Sequence, residues 1–370
     1  MQIFNKIKNI LKYIIKSIKI YKILRDIKSE KGAKILLFGA FGNGNMGDAE
    51  QANFVKDILR KNQFSKKYQV MATSYLKINS YNFEGNTLPC FAIENFDILN
   101  KFDLIIIGGG GLLGHPHFPL FDESWVNKLV NSRIPYILCA VGFERDLPKY
   151  REVYGKLIAS AVFVSGRDES TLSIMRTYRN DVSWMPDPIL SNVLLNNVEK
   201  NRKTNRIDIV IRPVKEDDVN IDFLKALREI YRKSTREEIR IIFLEPDLAE
   251  EKLLMVDFPE HLVCRSMAEL ITAVQDAKVG ISMRFHGVIG MIGAQIPVIG
   301  LSSFPKILNL MTMLCVADQY YYDATRDLIP RIMDRNFHDI RPASVTPEFL
   351  IEIKEAEQFF LQVVTNVLEI

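Results

Sequence analysis

Arg284 and His286 stand two residues apart, where the apolar run Val279–Met283 gives way to Gly287 and a small-residue stretch. The run reads as a buried strand and the stretch after Gly287 as a helix. The two side chains therefore fall at a strand-to-helix junction, where open α/β sheets place ligands. A helix N-terminus carries free N–H groups and a partial positive charge. An arginine and a histidine added there make a site for a small, dense anion with phosphate or carboxylate groups. No Asp or Glu occurs between Gly280 and Ser303, so a local partner for a structural ion pair is missing.

Other residues repeat this placement. Arg167 follows the strand-like segment Ala161–Ser165 and precedes Asp168 and Ser170, which read as helix-start residues. Lys306 opens the helix expected after the strand Pro297–Leu301. On its own it reads as a solvated lysine, but its strand-end position puts it near the same site. Gly42, Gly44 and Gly47 match G-x-G-x-x-G between a strand at 33–39 and a helix at 48–59. The next strand, 69–73, ends in Thr73-Ser74-Tyr75, with no acid to hold a ribose, which argues against a nicotinamide cofactor. What remains is a close backbone approach to a ligand at Gly44 and Asn45, with Asp48 at the helix start. Asp48 suits either a helix cap or an acid/base residue in a cleft. Gly108, Gly109, Gly110 and Gly111 follow the strand 103–107; four in a row exceed what a tight strand–helix crossing needs, so they read as a close backbone approach to a ligand. His115 and His117 have no nearby carboxylate pair and read as loop residues, so no metal site is expected.

Strands alternate with helices through both halves. The fold class expected is α/β, two doubly wound parallel sheets facing a cleft. Residues 29–190 form the first domain, 191–206 a polar linker, 207–345 the second domain and 346–370 a terminal helix that returns across both.

The net charge of +3 is too small to argue for nucleic acid, and the aromatics are not interleaved with a basic stripe. Cys90, Cys139, Cys264 and Cys315 lack metal-ligand spacing and read as buried thiols of a reducing cytosol. No uncharged apolar run reaches membrane-spanning length. Residues 2–28 pair an apolar face (Ile3, Ile7, Ile10, Ile14, Ile18) with lysines throughout. Such a basic amphipathic helix suits an anionic membrane surface, or packing on the protein itself or on a second subunit.

Five segments together give a resemblance: FGNGNMGDAEQA (41–52), DLIIIGGGGLL (103–113), VSGRDEST (164–171), MPDPIL (185–190) and ISMRFHGVIGMIGAQIPVIGLSSFPK (281–306). In this order they resemble the polysaccharide pyruvyl transferase family. The resemblance implies a fold similar to B-type glycosyltransferases. It also implies transfer of an enolpyruvyl-derived group from phosphoenolpyruvate to two hydroxyls of one sugar, forming a cyclic ketal without a cofactor. Arg284, His286 and Lys306 would then hold phosphoenolpyruvate, with Arg167 in support and Asp48 as acid/base candidate on the acceptor side. The acceptor would be a sugar of a cell-surface polysaccharide or its lipid-linked precursor, met in the cytoplasm or at the inner membrane face. Two departures stand out: Ala49-Glu50 where the family usually has Glu-Ala after the Asp, and Phe285 where it usually has Leu. The rival readings are a nucleotide-sugar glycosyltransferase of the same fold and a non-catalytic member of a glycan-assembly complex. The acid-free run after Gly280 argues against the first. Oligomeric state is open. Removal of residues 1–28 is expected to abolish partitioning onto anionic vesicles, and unchanged co-sedimentation would rule the membrane role out.

Overall fold

The computed structural model describes residues 25, 32–41, 45–61, 68–74, 86–89, 93–114, 123–143, 148–195, 204–215, 218–235, 238–323 and 325–368. The basic segment 2–28 (Arg25 apart), Gly42, Gly44, Cys90, His115 and His117 lie outside them.

Thirteen strands are described. The first seven are β1 (Ala33–Phe38), β2 (Tyr68–Ser74), β3 (Asn86–Pro89), β4 (Leu104–Gly108), β5 (Tyr136–Val141), β6 (Phe163–Gly166) and β7 (Ser183–Trp184). They form one sheet in the order β3-β2-β1-β4-β5-β6-β7. The others are β8 (Ile207–Val210), β9 (Ile239–Phe243), β10 (Leu262–Val263), β11 (Val279–Ser282), β12 (Val298–Leu301) and β13 (Tyr320–Tyr321), ordered β10-β9-β8-β11-β12-β13. Every pairing between these strands is parallel. Each sheet thus has a switch point, between β1 and β4 and between β8 and β11, where the chain runs off in opposite directions and leaves a crevice.

The apolar runs become strands because both faces are covered. β4 and β5 are buried along their whole length, as parallel strands under two layers of helix must be. Helix α1 (Met46–Lys61) lays Ala52, Val55, Ile58 and Leu59 on Ile35, Leu37 and Ile106 of the first sheet. The short edge strands β7, β10 and β13 have two residues each, too few for a periodic signal in the sequence.

The connection between the sheets differs from the expected linker. Residues Pro188–Leu195 form a helix, α2, whose Ile189, Leu190 and Val193 are buried with Val210, Ile242 and Ile292 of the second domain. Ser191 is wholly buried, so the segment leaving the first sheet is core rather than spacer. Cys139 and Cys264 are buried free thiols, while Cys315 is exposed, on a left-handed residue after a helix end. No described helix is long and apolar enough to cross a membrane.

The last helix, α3 (Pro347–Leu368), joins both halves. Phe349 packs on the second domain's core and on Trp184 of β7. Phe360 and Val364 are buried with β1 and α1 residues in the first domain. Phe360→Ala is expected to lower stability by about 3 kcal/mol, seen as an earlier urea midpoint with the same second-domain fold.

Candidate active site

The carboxyl ends of the two sheets face each other, and the contacts across the gap are close. Helix α4 (Phe285–Gly293) starts two residues earlier than Gly287, with Arg284 as its cap residue and His286 in its first turn. The His286 ring rests on Gly47, in the first turn of α1, so closely that any Cβ at position 47 would overlap it. Helix α5 (Met267–Val274) adds a second tie: the Met267 N–H donates to Glu50 Oε1 at 2.8 Å. Glu50 is the acid displaced by one position from the family pattern, and here it holds the N-terminus of a second-domain helix. A third tie runs from Asn309 Nδ2 to Ser170 Oγ at 2.8 Å.

The glycine-rich turns serve these helices. Asn45 caps α1, accepting the Gly47 N–H on Oδ1 at 2.9 Å, so the cap is not Asp48. Asp48 is nine-tenths buried and turned toward Gly110, where a Cβ would sit 2.9 Å from its Oδ1. Gly109 receives Gln51 in the same way, with Oε1 2.7 Å from the place of a Cβ. Both glycines have positive φ, +86° and +83°, so their backbone as well as their lack of a side chain is needed. The run at 109–110 is therefore filled by side chains of α1, a tight strand–helix crossing where the sequence pointed to a ligand. Gly111 follows at the rim, partly exposed.

Arg167 follows β6 and is buried, only 4 % exposed. Gly142 leaves it space, since a Cβ there would lie 2.5 Å from Nε. Its guanidinium stacks on the Phe285 ring of the other domain at 4.7 Å. Asp168 Oδ2 lies 3.6 Å from Nε and Asp187 Oδ2 lies 3.9 Å from Nη1, both beyond hydrogen-bond reach. Arg167 Nε has no hydrogen-bond partner among the described residues. Asp168 instead caps the helix Glu169–Arg176 through Thr171 N–H at 2.9 Å. A small cavity opens beside Arg167, lined also by Asp187, Phe285 and Lys306. Lys306 comes from the first turn of helix α6 (Pro305–Met313), with Nζ 5.9 Å from the centre of the Phe304 ring.

Arg284 departs from the sequence reading. Its guanidinium is taken by two carboxylates, Glu245 at 2.6 Å and Glu251. Glu245 follows β9, and Glu251 lies in the helix Ala249–Val256, so the partners come from remote segments. The argument from an acid-free local run fails for that reason, both against a structural pair and against a nucleotide ribose. Arg284 does not line the cavity beside Arg167. Burial pushes the Glu251 carboxyl up, with Glu245 adding repulsion and Arg284 opposing both. Burial works against the Arg284 charge, but the two glutamates outweigh it and keep the guanidinium firmly protonated.

Two residues without a sequence-assigned role complete the site. Asp187, within the MPDPIL segment, is buried at the N-terminus of α2. Its Oδ1 accepts the Ile189 N–H at 3.0 Å, and its Oδ2 accepts the side-chain amide of Gln51. The same oxygen lies 3.8 Å from His286 Nε2. Burial pushes this carboxyl up, but His286, the Arg167 charge and the Ile189 N–H together hold it below the usual range. The Asp-Pro step and a glutamine one turn after Asp48 were the available sequence signals, and each alone reads as helix capping or packing.

The two facing parallel-sheet domains, braced by a returning helix, define a protein of the B-type glycosyltransferase fold. Solved structures bear this out across the chain. S. aureus MnaA bound to UDP superposes with a TM-score of 0.59 at 12% identity, covering 90% of this chain and 98% of that one. The Neisseria meningitidis UDP-GlcNAc 2-epimerase bound to UDP-GlcNAc gives 0.59 at 12%, covering 90% and 100%. The wall teichoic acid polymerase TagF gives 0.52 at 10%, covering 91% and 88%. Likeness at such low identity speaks for the fold alone. The sequence is more specific: the profile of the family described as Polysaccharide pyruvyl transferase matches residues 4–303. The chain belongs to that enzyme family. No curated protein sequence matches it significantly.

The glutamate pair makes a stability prediction. A carboxyl raised in the fold favours folding below its unfolded pKa, and that contribution is lost as pH rises through the folded value. Glu251→Gln keeps the oxygen acceptor and removes this loss. Its stability should fall less than the parent's as pH rises above the ordinary glutamate range, measured by urea midpoints. Glu251→Ala leaves Arg284 half-paired and should cost about 3 kcal/mol at neutral pH.

Proposed function

We propose that the protein transfers the enolpyruvyl-derived group of phosphoenolpyruvate to two hydroxyls of one acceptor sugar, forming a cyclic ketal and releasing phosphate. The observation that carries this reading is Arg167: a buried guanidinium with Nε unpartnered, facing a cavity that it shares with Lys306. A buried donor of that strength without an acceptor is costly, and an incoming anion relieves the cost. Phosphoenolpyruvate carries two anionic groups on three carbons, matching one cation from each domain; the cavity between them has room for about one water as it stands, so binding the donor requires its walls to part.

The chemistry follows from the residues around the donor. His286 gives a proton to C3 of the enol, and C2 becomes electrophilic. A sugar hydroxyl adds to C2 while its proton passes to Asp48. The C2–O bond to phosphate breaks, the electron pair leaving with phosphate. Arg167 and Lys306 stabilise the departing charge. A second hydroxyl of the same sugar then closes the ketal, and its proton passes to His286, replacing the one given to C3. The acceptor lies on the first-domain side, near Asn45 and Gly111. It belongs to a cell-surface polysaccharide or a lipid-linked precursor. The lysine-rich segment 2–28 supports delivery at an anionic membrane surface.

Calorimetric titration with phosphoenolpyruvate, beside uridine diphosphate, tests the donor. The intact protein is expected to bind phosphoenolpyruvate and not the nucleotide. Arg167→Ala should weaken that binding about 10- to 100-fold, the loss of one to two charge-assisted hydrogen bonds. Nucleotide binding without phosphoenolpyruvate binding would replace this reading with nucleotide-sugar transfer.

A further inference from the structure

The Arg167 guanidinium is held between two residues from different domains. A Cβ at position 142 would stand 2.5 Å from Nε and 2.8 Å from both Cζ and Nη2. Three such similar distances mean that the Gly142 backbone lies against the flat face of the group, not its edge. From the second domain the Phe285 ring lies against it as well, with Cζ 4.7 Å from the ring centre. What this clamp leaves open is the N–H edge, where Nε has no partner among the described residues.

The ring is itself well fixed. Its chain neighbours are pinned on both sides, Arg284 by Glu245 and Glu251 and His286 by its seat on Gly47. The His286 ring also meets the Phe285 ring edge-on, with centres 5.3 Å apart and planes at 86°. Phe285 is therefore the firm wall of the cavity beside Arg167. The walls that yield to a donor are Lys306 and Met313, which line the same cavity and are only half-buried. An arginine stacks on an aromatic ring through its face and bonds an anion in its plane, so the two contacts do not compete.

We propose, resting on the donor reading above, that Phe285 is a positioning residue for Arg167: its ring fixes the plane of the guanidinium and so aims the Nε edge at the anionic end of the donor. The nearest competing acceptors are Asp168 at 3.6 Å and Asp187 at 3.9 Å, both just beyond hydrogen-bond reach. A small turn of the guanidinium would bring it onto one of them, and the ring prevents that turn. Arg167 thus keeps its edge for an incoming anion instead of settling into an internal ion pair. Leucine, usual in the family at position 285, has apolar bulk but no π face, so this device belongs to the phenylalanine. The ring comes from one domain and the guanidinium from the other, so the anion site is complete only with the two together.

Arginine side-chain resonances of the full chain read the stack without any ligand. The Arg167 Nε–H signal is assigned by its loss in Arg167→Lys. It is expected to be displaced by the ring current of Phe285 and to return toward the ordinary arginine position in Phe285→Leu. Calorimetry with phosphoenolpyruvate, and with inorganic phosphate as the simplest anion, reads the consequence. Phe285→Leu should weaken phosphoenolpyruvate binding about 10-fold, the scale of a desolvated cation–π contact, at an unchanged urea midpoint of the second domain. Phe285→Tyr keeps the π face and should stay within about threefold of the parent. An undisplaced Arg167 signal in the unmutated protein, or a folded Phe285→Leu protein that binds phosphoenolpyruvate as tightly as the parent or more so, would overturn the proposal. A displaced signal in a protein that binds phosphate but not phosphoenolpyruvate, with phosphate weakened by Phe285→Leu, would uphold the positioning and defeat the donor reading instead.

Discussion

The seating of the His286 ring on Gly47 constrains the rest of the molecule. It joins the first turn of one domain's helix to the first turn of the other's, with no room for a methyl group between them. Both helices begin at the carboxyl edges of parallel strands, so the contact sets the distance between the two sheets. The Phe285 ring beneath Arg167 and the Met267 N–H on Glu50 fall on either side of it. Position 47 must be glycine for reasons of space, whatever the backbone angle. The small cavity beside Arg167 likewise has walls from both domains, Arg167 and Asp187 from the first and Phe285 and Lys306 from the second.

Charge inside the cleft is finely divided rather than simply positive. Arg167 faces Asp168 and Asp187 at distances too long for hydrogen bonds, while Arg284 is satisfied by Glu245 and Glu251. The two arginines occupy equivalent strand ends yet stand in different states. The terminal nitrogens of Arg284 are paired to carboxylates, whereas the carboxylates beside Arg167 stand at 3.6 and 3.9 Å; Nε is unpartnered in both among the described residues. Desolvated guanidinium groups in such settings differ by several kcal/mol in what a new anion gains from them. That contrast, more than the count of cations, is why the proposed anion site is placed on the Arg167 side.

The sequence was readable where one physical signal dominated. DLIII and PYILCAV are apolar without alternation because strands buried on both faces need no polar side, and they lie where such strands were expected. Arg167, Arg284 and Lys306 were placeable because a strand end is visible as the point where an apolar run stops. What was hidden depended on distant pairing. Glu251 lies 33 residues before the arginine it binds, on a helix of its own. Gln51 and Asp187 meet across 136 residues, and each has an ordinary local explanation. Gly109 and Gly110 were ambiguous until α1 was seen to fill the space beside them. The helix Pro188–Leu195 was missed because it has no polar face: it is buried between domains, so amphipathic periodicity is absent.

The course of α3 has a consequence for how the chain is made. Phe360 and Val364 complete the core beneath β1 and α1, although the ribosome adds them after the whole second domain. Synthesis proceeds at about 5–20 residues per second. For much of that time Ile35, Leu37 and Ile58 lack part of their final cover. The second domain's own strands and helices, β8 to β13, are contiguous in sequence and face no such delay. The usual vectorial order, amino-terminal half first, is therefore reversed at the last step. The earlier half matures last, and a nascent chain paused before residue 347 presents an apolar face to chaperones.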